Sequence, residues 1–286
     1  MLAFAEPLEP ATTRLVGEVL RYGTSARNQL LVVDGDSGVA GAAVITQRCR
    51  GRWHATAAVT EPHAAAPLAA AIDTSRAWSL TGMSEHVALL VPSLRRTIGV
   101  GAAPFHASAI AVEQLAEPDP RIRPATPADL APLVDLYSRF EQQDIPTRPR
   151  LRAFLRDALD ALPVLVAEVD GRLVGAVRCD WAARHHDFWW AQTVEPEQRG
   201  TGLGNSLLFA AMAHSGERQR KVCGIMGPSN PIRAMEGRGW QPFMHLKEHH
   251  LENEWMTVRL GPPSRSMVHR VTRRVLETME GRTGTR

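Results

Sequence analysis

The sequence predicts two consecutive α/β modules, each a sheet flanked by helices. Its 286 residues suit two domains of ordinary size. Four prolines between Pro118 and Pro127 exclude regular structure there and indicate a boundary. The two sides of that boundary repeat one order of elements: a hairpin, a third strand, a helix, a strand and a helix. We therefore predict modules at 1–117 and 118–262, followed by a basic helix or tail at 263–286.

The first module begins with three predicted strands at 30–33, 39–47 and 53–59, where β-branched and aliphatic residues are bounded by turn residues. Apolar and alanine-rich stretches at 64–73 and 84–95 predict two helices with a strand between them.

The second module begins with a helix that Thr126 or Asp129 can cap, and another helix follows Pro149. The Asp170-Gly171 pair predicts a tight turn, which joins strands at 164–169 and 172–181 into a hairpin. The rest of the module is predicted as a strand at 187–194, a helix from 205, a strand at 221–227, a short helix at 231–239 and closing strands at 243–250 and 254–260.

Composition limits the possible classes of protein. Apolar residues make up 44% and charged residues 22%, which is typical of folded domains. The acidic N-terminus and the lack of an 18-residue apolar stretch predict a cytoplasmic protein without membrane association. Cys49, Cys179 and Cys223 are too far apart for a zinc pattern, so we expect buried thiols.

Two groups of residues have simple interpretations. The histidines near the end of the second module lack a metal-ligand spacing, so no metal is expected. The tryptophans on the second module's strands are expected in its core. These residues are His245, His249 and His250, and Trp181, Trp189 and Trp190.

A glycine-rich turn between a predicted strand and a predicted helix indicates chemistry. Gly200, Gly202 and Gly204 allow the backbone to approach a ligand closely, and the amide groups at a helix N-terminus suit a pyrophosphate. The spacing differs from a dinucleotide-binding fingerprint, and the segment lacks the Gly-Lys-Ser/Thr of a Walker loop. The corresponding segment after Val59 has no such turn, which predicts a degenerate first module.

The turn resembles the signature R/Q-x-x-G-x-G/A of the GCN5-related N-acetyltransferase (GNAT) family, with Arg199, Gly202 and Gly204 in the matching places. The resemblance covers about residues 121–260. It implies a mixed, mostly antiparallel central sheet flanked by helices, in two tandem copies, and acetyl-CoA or another acyl-CoA as co-substrate. The residues it implies for CoA binding are Val194, Arg199, Gly200, Thr201, Gly202, Leu203, Gly204, Asn205, Asn230 and Arg233.

The same resemblance raises the question of the catalytic acid and base. Met235 stands where the family usually has a tyrosine, and a thioether cannot donate a proton. Ser229 is an alternative donor. Asp187 and Glu141 are candidate bases, as is His186, and Gln192 could position a water.

The function expected from these features is transfer of an acyl group, in particular acetyl, from CoA to the amine of a small molecule. Two alternatives stay open. One uses an aminoacyl-tRNA or a carrier-protein thioester as donor, because six arginines in the last 26 residues could contact tRNA. The other is a non-catalytic acyl-CoA sensor.

Overall fold

A computed structural model describes residues 1–9, 12–23, 28–36, 38–47, 53–108, 117–140, 148–225 and 240–251. The helices are Leu2–Ala5 (α1), Thr13–Tyr22 (α2), Ala65–Thr74 (α3), Ser84–Leu90 (α4), Leu130–Phe140 (α5), Arg148–Ala161 (α6) and Leu203–Glu217 (α7). The strands are Asn28–Gly35 (β1), Gly38–Gln47 (β2), Trp53–Val59 (β3), Ala77–Met83 (β4), Thr97–Ser108 (β5), Ile122–Pro124 (β6), Val164–Val169 (β7), Arg172–Ala182 (β8), His186–Val194 (β9), Lys221–Ile225 (β10) and Trp240–Leu251 (β11).

Local sequence explains the start of the second module. Thr126 and Asp129 form the predicted cap, in which the Asp129 carboxylate accepts hydrogen bonds from the Thr126 N–H at 2.7 Å and hydroxyl at 2.9 Å. Arg123 also binds this carboxylate and, with the Thr126 hydrogen bonds, lowers the pKa of Asp129 to about 2. Asp170 and Gly171 both have positive φ, as the predicted two-residue turn of the β7–β8 hairpin requires.

The described strands form one eleven-stranded sheet in the order β1-β2-β3-β4-β11-β5-β10-β9-β8-β7-β6. Neighbours are antiparallel except for the pairs β3–β4 and β9–β10. This is the mixed, mostly antiparallel sheet that the resemblance implied, and helices pack against it.

Each half contributes a strand to the other half of this sheet. β11, from the second half, lies between β4 and β5, whereas β5, from the first half, lies between β11 and β10. The sequence analysis did not predict β5, and it assigned the strand at 243–250 to the second module alone. Met1–Leu251 form one compact unit, and the boundary at 117/118 stays a prediction about sequence modules.

Helix α2, which the sequence analysis also missed, contacts strands of both halves. A Cβ on Gly17 would lie 2.7 Å from Trp181 Cβ, so this glycine permits close packing of α2 on β8. Beside it, the Trp181 indole donates a 2.7 Å hydrogen bond to Glu18. α2 therefore joins the two halves on one face of the sheet.

Several core predictions are confirmed. Trp181 and Trp189 are buried, whereas Trp190 is only partly buried, and Cys179 and Cys223 are buried free thiols. Burial raises the pKa of both thiols, as expected for inert cysteines. Cys49 lies outside the described residues.

Candidate functional site

Two central strands separate next to the glycine turn. β9 and β10 pair in parallel only from His186 opposite Lys221 to Phe188 opposite Cys223. Beyond that point β9 runs on to Val194, whereas β10 pairs with β5. Among the described residues, the separation leaves backbone groups along the last part of β9 without the partner on β10 that they would have in a continuous sheet.

A bulge lies in this part of β9. Ala176 pairs with Thr193 and Arg178 with Trp190, so residues 191–192 stand opposite a single residue of β8. An extra residue reverses which face each later side chain occupies. The bulge therefore determines how the end of β9 meets the glycine turn.

The backbone of Val194 is oriented toward the separation. The N–H of Glu195 donates to the carbonyl of Val174 on β8 at 2.8 Å. Because consecutive residues of a strand direct their backbone groups to opposite sides, the N–H and C=O of Val194 point away from β8. The Val194 carbonyl accepts a 3.2 Å hydrogen bond from Arg199 Nε. The Val194 N–H points to the same side of β9, where this strand has separated from β10.

The glycine turn forms a loop of amide donors. Gly200 and Gly202 have φ of 82° and 87°, in the left-handed region that favours glycine, and α7 begins at Leu203. Within the described part of the chain, no N–H of residues 200–204 donates to a backbone carbonyl. A Cβ on Gly200 or Gly202 would meet nothing within 4 Å. The loop thus presents up to five amide donors and the positive end of a helix dipole to an open space.

Neighbouring side chains hold this loop in shape. Thr201 Oγ1 donates to the Gln198 carbonyl at 2.8 Å, and the Asn205 N–H donates to the Gly202 carbonyl at 2.9 Å. Leu203 is buried and anchors the first turn of α7 in the core. The positions around the glycines therefore fix the geometry of the amide groups.

Gln192, in the bulge, connects β9 to this loop. Its Nε2 donates to the carbonyl of Gly204 in the first turn of α7. A Cβ on Gly204 would lie 2.9 Å from this nitrogen, so only glycine leaves the amide undisturbed. The structure brings Gln192, Val194 and residues 199–205 together as the sequence analysis expected.

Asp187 lies at the other end of β9 and has a different environment. It is fully buried, and its carboxylate accepts hydrogen bonds from Ser215 at 2.9 Å and Arg220 at 3.1 Å, with Arg218 at 3.7 Å. Ser215 in turn accepts a hydrogen bond from the Trp189 indole at 3.0 Å. A catalytic base must reach the acceptor, and a fully buried, ion-paired carboxylate does not. The geometry therefore favours a structural role over the expected catalytic one.

His186, the neighbouring candidate, is also engaged. Its Nδ1 lies 3.2 Å from Glu9 Oε2, and the backbone N–H groups of His185 and Arg184 bind the same carboxylate. Burial alone would raise the pKa of Glu9, but these hydrogen bonds lower it overall. This group attaches the N-terminal segment to β9.

The sequence analysis missed the role of Glu195. This side chain is almost fully buried directly after Val194, and it pairs with Arg139 at 3.1 Å and Arg172 at 2.7 Å. It fixes the end of β9 to α5 and to the start of β8. Its position in the Val-Glu-Pro segment was visible in the sequence, but its distant arginine partners were not.

Five residues singled out in the sequence analysis lie outside the described residues. They are Glu141, Ser229, Asn230, Arg233 and Met235.

In the first half, the parallel pair β3–β4 corresponds to β9–β10, but within the described residues no gap opens between these two strands where their pairing ends. β3 and β4 pair in parallel up to Thr56 opposite Thr81. A Cβ on the next residue of β4, Gly82, would lie 2.6 Å from the Ala57 carbonyl oxygen and 2.8 Å from Val87 of α4. The two strands stay close there, and α4 packs against them.

Two further observations concern only the described residues. No helix among them is long and apolar enough to cross a membrane. No three His, Cys, Asp or Glu side chains among them are arranged to hold a metal ion.

Comparison with known proteins agrees with this geometry. Residues 111–231 match the family described as the acetyltransferase (GNAT) domain. Phosphinothricin N-acetyltransferase of Streptomyces viridochromogenes is 32% identical over 134 residues, which cover 42% of this chain and 73% of that protein. An uncharacterized N-acetyltransferase of Archaeoglobus fulgidus is 39% identical over 69 residues, which cover 21% of this chain and 44% of that protein.

Solved structures share the fold over most of the chain. A GCN5-related N-acetyltransferase from Kribbella flavida aligns with a TM-score of 0.58 at 14% identity, over 87% of this chain and 96% of its own. A tandem GNAT protein of the clavulanic acid biosynthesis pathway aligns with a TM-score of 0.55 at 14% identity, over 87% and 92%. The signature loop, the separated strands and these relatives lead to one conclusion: the chain belongs to the GCN5-related N-acetyltransferase family of acyltransferases.

Proposed function

We propose that the chain transfers an acyl group, acetyl in particular, from acyl-CoA to the amine of a small molecule. The observation that carries this proposal is the amide loop of residues 200–204 at the end of a bulged strand that has separated from its neighbour. A pyrophosphate fits the loop because it is an anion of the size that several converging amide groups and a helix N-terminus bind. The co-substrate would supply an activated thioester.

The residues of this chain have separable tasks in the proposal. The amides of 200–204 bind the pyrophosphate, and Arg199 keeps the loop against Val194. The Val194 N–H donates to the thioester carbonyl and polarises it for attack by the amine. The carbon–nitrogen bond forms as the carbon–sulfur bond breaks, the amine loses a proton and the thiolate leaves. Gln192 is a positioning residue, since it ties the bulge to the loop.

The proton transfers are assigned to residues beyond the described part of the chain. We keep Glu141 as the proposed acceptor of the amine proton and Ser229 as the proposed donor to the thiolate. Asn230 and Arg233 stay proposed CoA ligands. Asp187 is proposed to be structural. It lies at the opposite end of β9 from Val194, and its carboxylate is already paired with Arg218 and Arg220.

A small acceptor is supported by the names of two similar proteins. One relative is named for N-acetylation of phosphinothricin, and one structural neighbour comes from the clavulanic acid pathway. We do not propose tRNA as a partner, because the arginine-rich tail at 263–286 lies outside the described residues and nothing else favours it.

The test is turnover of acetyl-CoA with a panel of small amines, measured as release of free thiol. Each amine is paired with the alcohol of the same skeleton. Turnover with amines and not with the alcohols would support the proposal, and it should disappear in Gly202→Glu but persist in Gly171→Glu. Gly171 is a matched control because it has a similar φ of 72° and equally open surroundings in a distant hairpin.

A second candidate is a non-catalytic acyl-CoA sensor, favoured by Met235 in place of the expected acid. It predicts that acetyl-CoA binds and that no amine supports thiol release. Any amine-dependent turnover that Gly202→Glu abolishes would exclude it.

A further inference from the structure

A groove with mixed apolar and cationic walls lies between the N-terminal helix α2 and the second half of the chain. It encloses about 210 Å³. Leu20, Leu162 and Trp181 contribute apolar surface, and Arg218 and Arg220 line it together with Arg21. Small-molecule sites commonly combine apolar walls with a few convergent polar groups.

Two of the arginines at this groove share one acidic partner. Arg218 and Arg220 lie 3.7 Å and 3.1 Å from the same carboxylate, that of Asp187. Asp187 is fully buried, whereas the two arginine side chains are 35% and 22% exposed. Two partly exposed guanidinium groups therefore share a single buried carboxylate. Arg21, the third arginine of the lining, donates to the backbone carbonyl of Asp157 at 3.1 Å.

The apolar part of the groove includes an unusual side chain. Leu20 is 45% exposed, and among the described residues only Val32, on β1, is another large apolar side chain that is similarly exposed. Leu20 lies at the groove beside the arginines, whereas Val32 is absent from its lining. Exposed apolar surface next to partly exposed guanidinium groups matches a ligand with an apolar body and an anionic end.

We propose that this groove binds a small amphipathic carboxylate, with an aryl or short alkyl body. The carboxylate would bind Arg218 and Arg220, whose planar groups suit bidentate contact, and the body would lie against Leu20 and Leu162. A volume near 210 Å³ is smaller than the roughly 300–1,000 Å³ of sites for drug-sized ligands, so the ligand is of about the size of benzoate.

This site is distinct from the glycine loop. Gly202 and Arg218 cap opposite ends of α7, whose 15 residues span about 22 Å. Asp187, which pairs with both arginines, is the second residue of the strand that ends at Val194. The groove ligand would therefore bind without displacing acyl-CoA, and the inference does not depend on the proposed function.

The test is ligand-observed NMR titration of the full chain with benzoate, and with benzamide as its uncharged analogue. We expect benzoate to bind at least about tenfold more tightly than benzamide. Leu20→Glu places a carboxylate beside the ligand's own and should weaken benzoate binding about tenfold. Val32→Glu, a change at the other exposed apolar side chain, should leave binding as in the wild type.

The outcomes divide clearly. Absent benzoate binding, equal affinity for benzamide, or equal effects of the two glutamate variants would each overturn the proposal. Wild-type titrations keep the test decisive even if Leu20→Glu fails to fold. The Gly202→Glu variant should retain benzoate binding, and saturating CoA should not compete with it; competition would place benzoate at the other site and refute the inference.

Discussion

Replacement of Asp187 by asparagine should cost stability and leave chemistry intact. The variant keeps the size of the side chain but removes the charge that faces Arg218 and Arg220. Breaking a buried ion pair costs about 3 to 5 kcal/mol, and the lower value applies here because both arginines are partly hydrated. About 3 kcal/mol corresponds to a fall of about 5 °C in melting temperature for a chain of this size.

The assay combines thermal unfolding with amine-dependent thiol release measured well below the melting temperature. Asp180→Asn is the matched control, because Asp180 forms a second, largely buried pair with Arg178 at 2.6 Å on the adjacent strand. Both variants should melt earlier and retain kcat within about threefold. A normal melting temperature for Asp187→Asn with a fall in kcat of about 100-fold or more, the effect of removing a general base, would refute the structural assignment.

Three further predictions follow from the contacts. Gly204→Val should displace Gln192, whose Nε2 lies 2.9 Å from the new Cβ position, and raise KM for acetyl-CoA more than it lowers kcat; unchanged KM would contradict the positioning role. Asp129 has a pKa lowered to about 2, so its charge stabilises the fold above the unfolded pKa near 4 and this contribution is lost as pH falls through 2. Asp129→Asn should therefore cost about 1 kcal/mol in urea unfolding at pH 7, after allowance for the exposed Arg123 partner, and almost nothing at about pH 1, below both pKa values; an equal cost at both values would disprove the linkage. Because β5 and β11 are exchanged, residues 118–286 expressed alone should be insoluble and should be rescued by co-expression of 1–117; a stable, active 118–286 fragment would show that the exchange is dispensable.

Short-range signals made much of the second half predictable. The Asp170-Gly171 turn fixed the β7–β8 hairpin because both residues adopt positive φ, and Thr126 with Asp129 marked the helix start through a local cap. The glycine loop was equally visible, because its conformation depends on Gly200 and Gly202 themselves. Such features need no knowledge of distant residues.

Features that depend on distant residues were not predictable. The exchange of β5 and β11 follows from pairing between residues more than 100 positions apart, for which the sequence carries no local mark. The burial of Asp187 depends on arginines from the end of α7, so its charge alone suggested chemistry. The bulge in β9 has no local sequence signature, and only the family resemblance indicates a bulged end of this strand at 192–194.

The most direct test of the account is calorimetric titration of the full chain with acetyl-CoA and CoA. One site per chain is predicted, because among the described residues only the second half has the separated strands and the amide loop. Gly202→Glu should weaken binding about 100-fold or more by placing an anion in the loop, and Gly171→Glu should bind like the wild type. Failure of the wild-type chain to bind either ligand, or equal binding by Gly202→Glu, would contradict the assignment of residues 200–204 as the CoA pyrophosphate site.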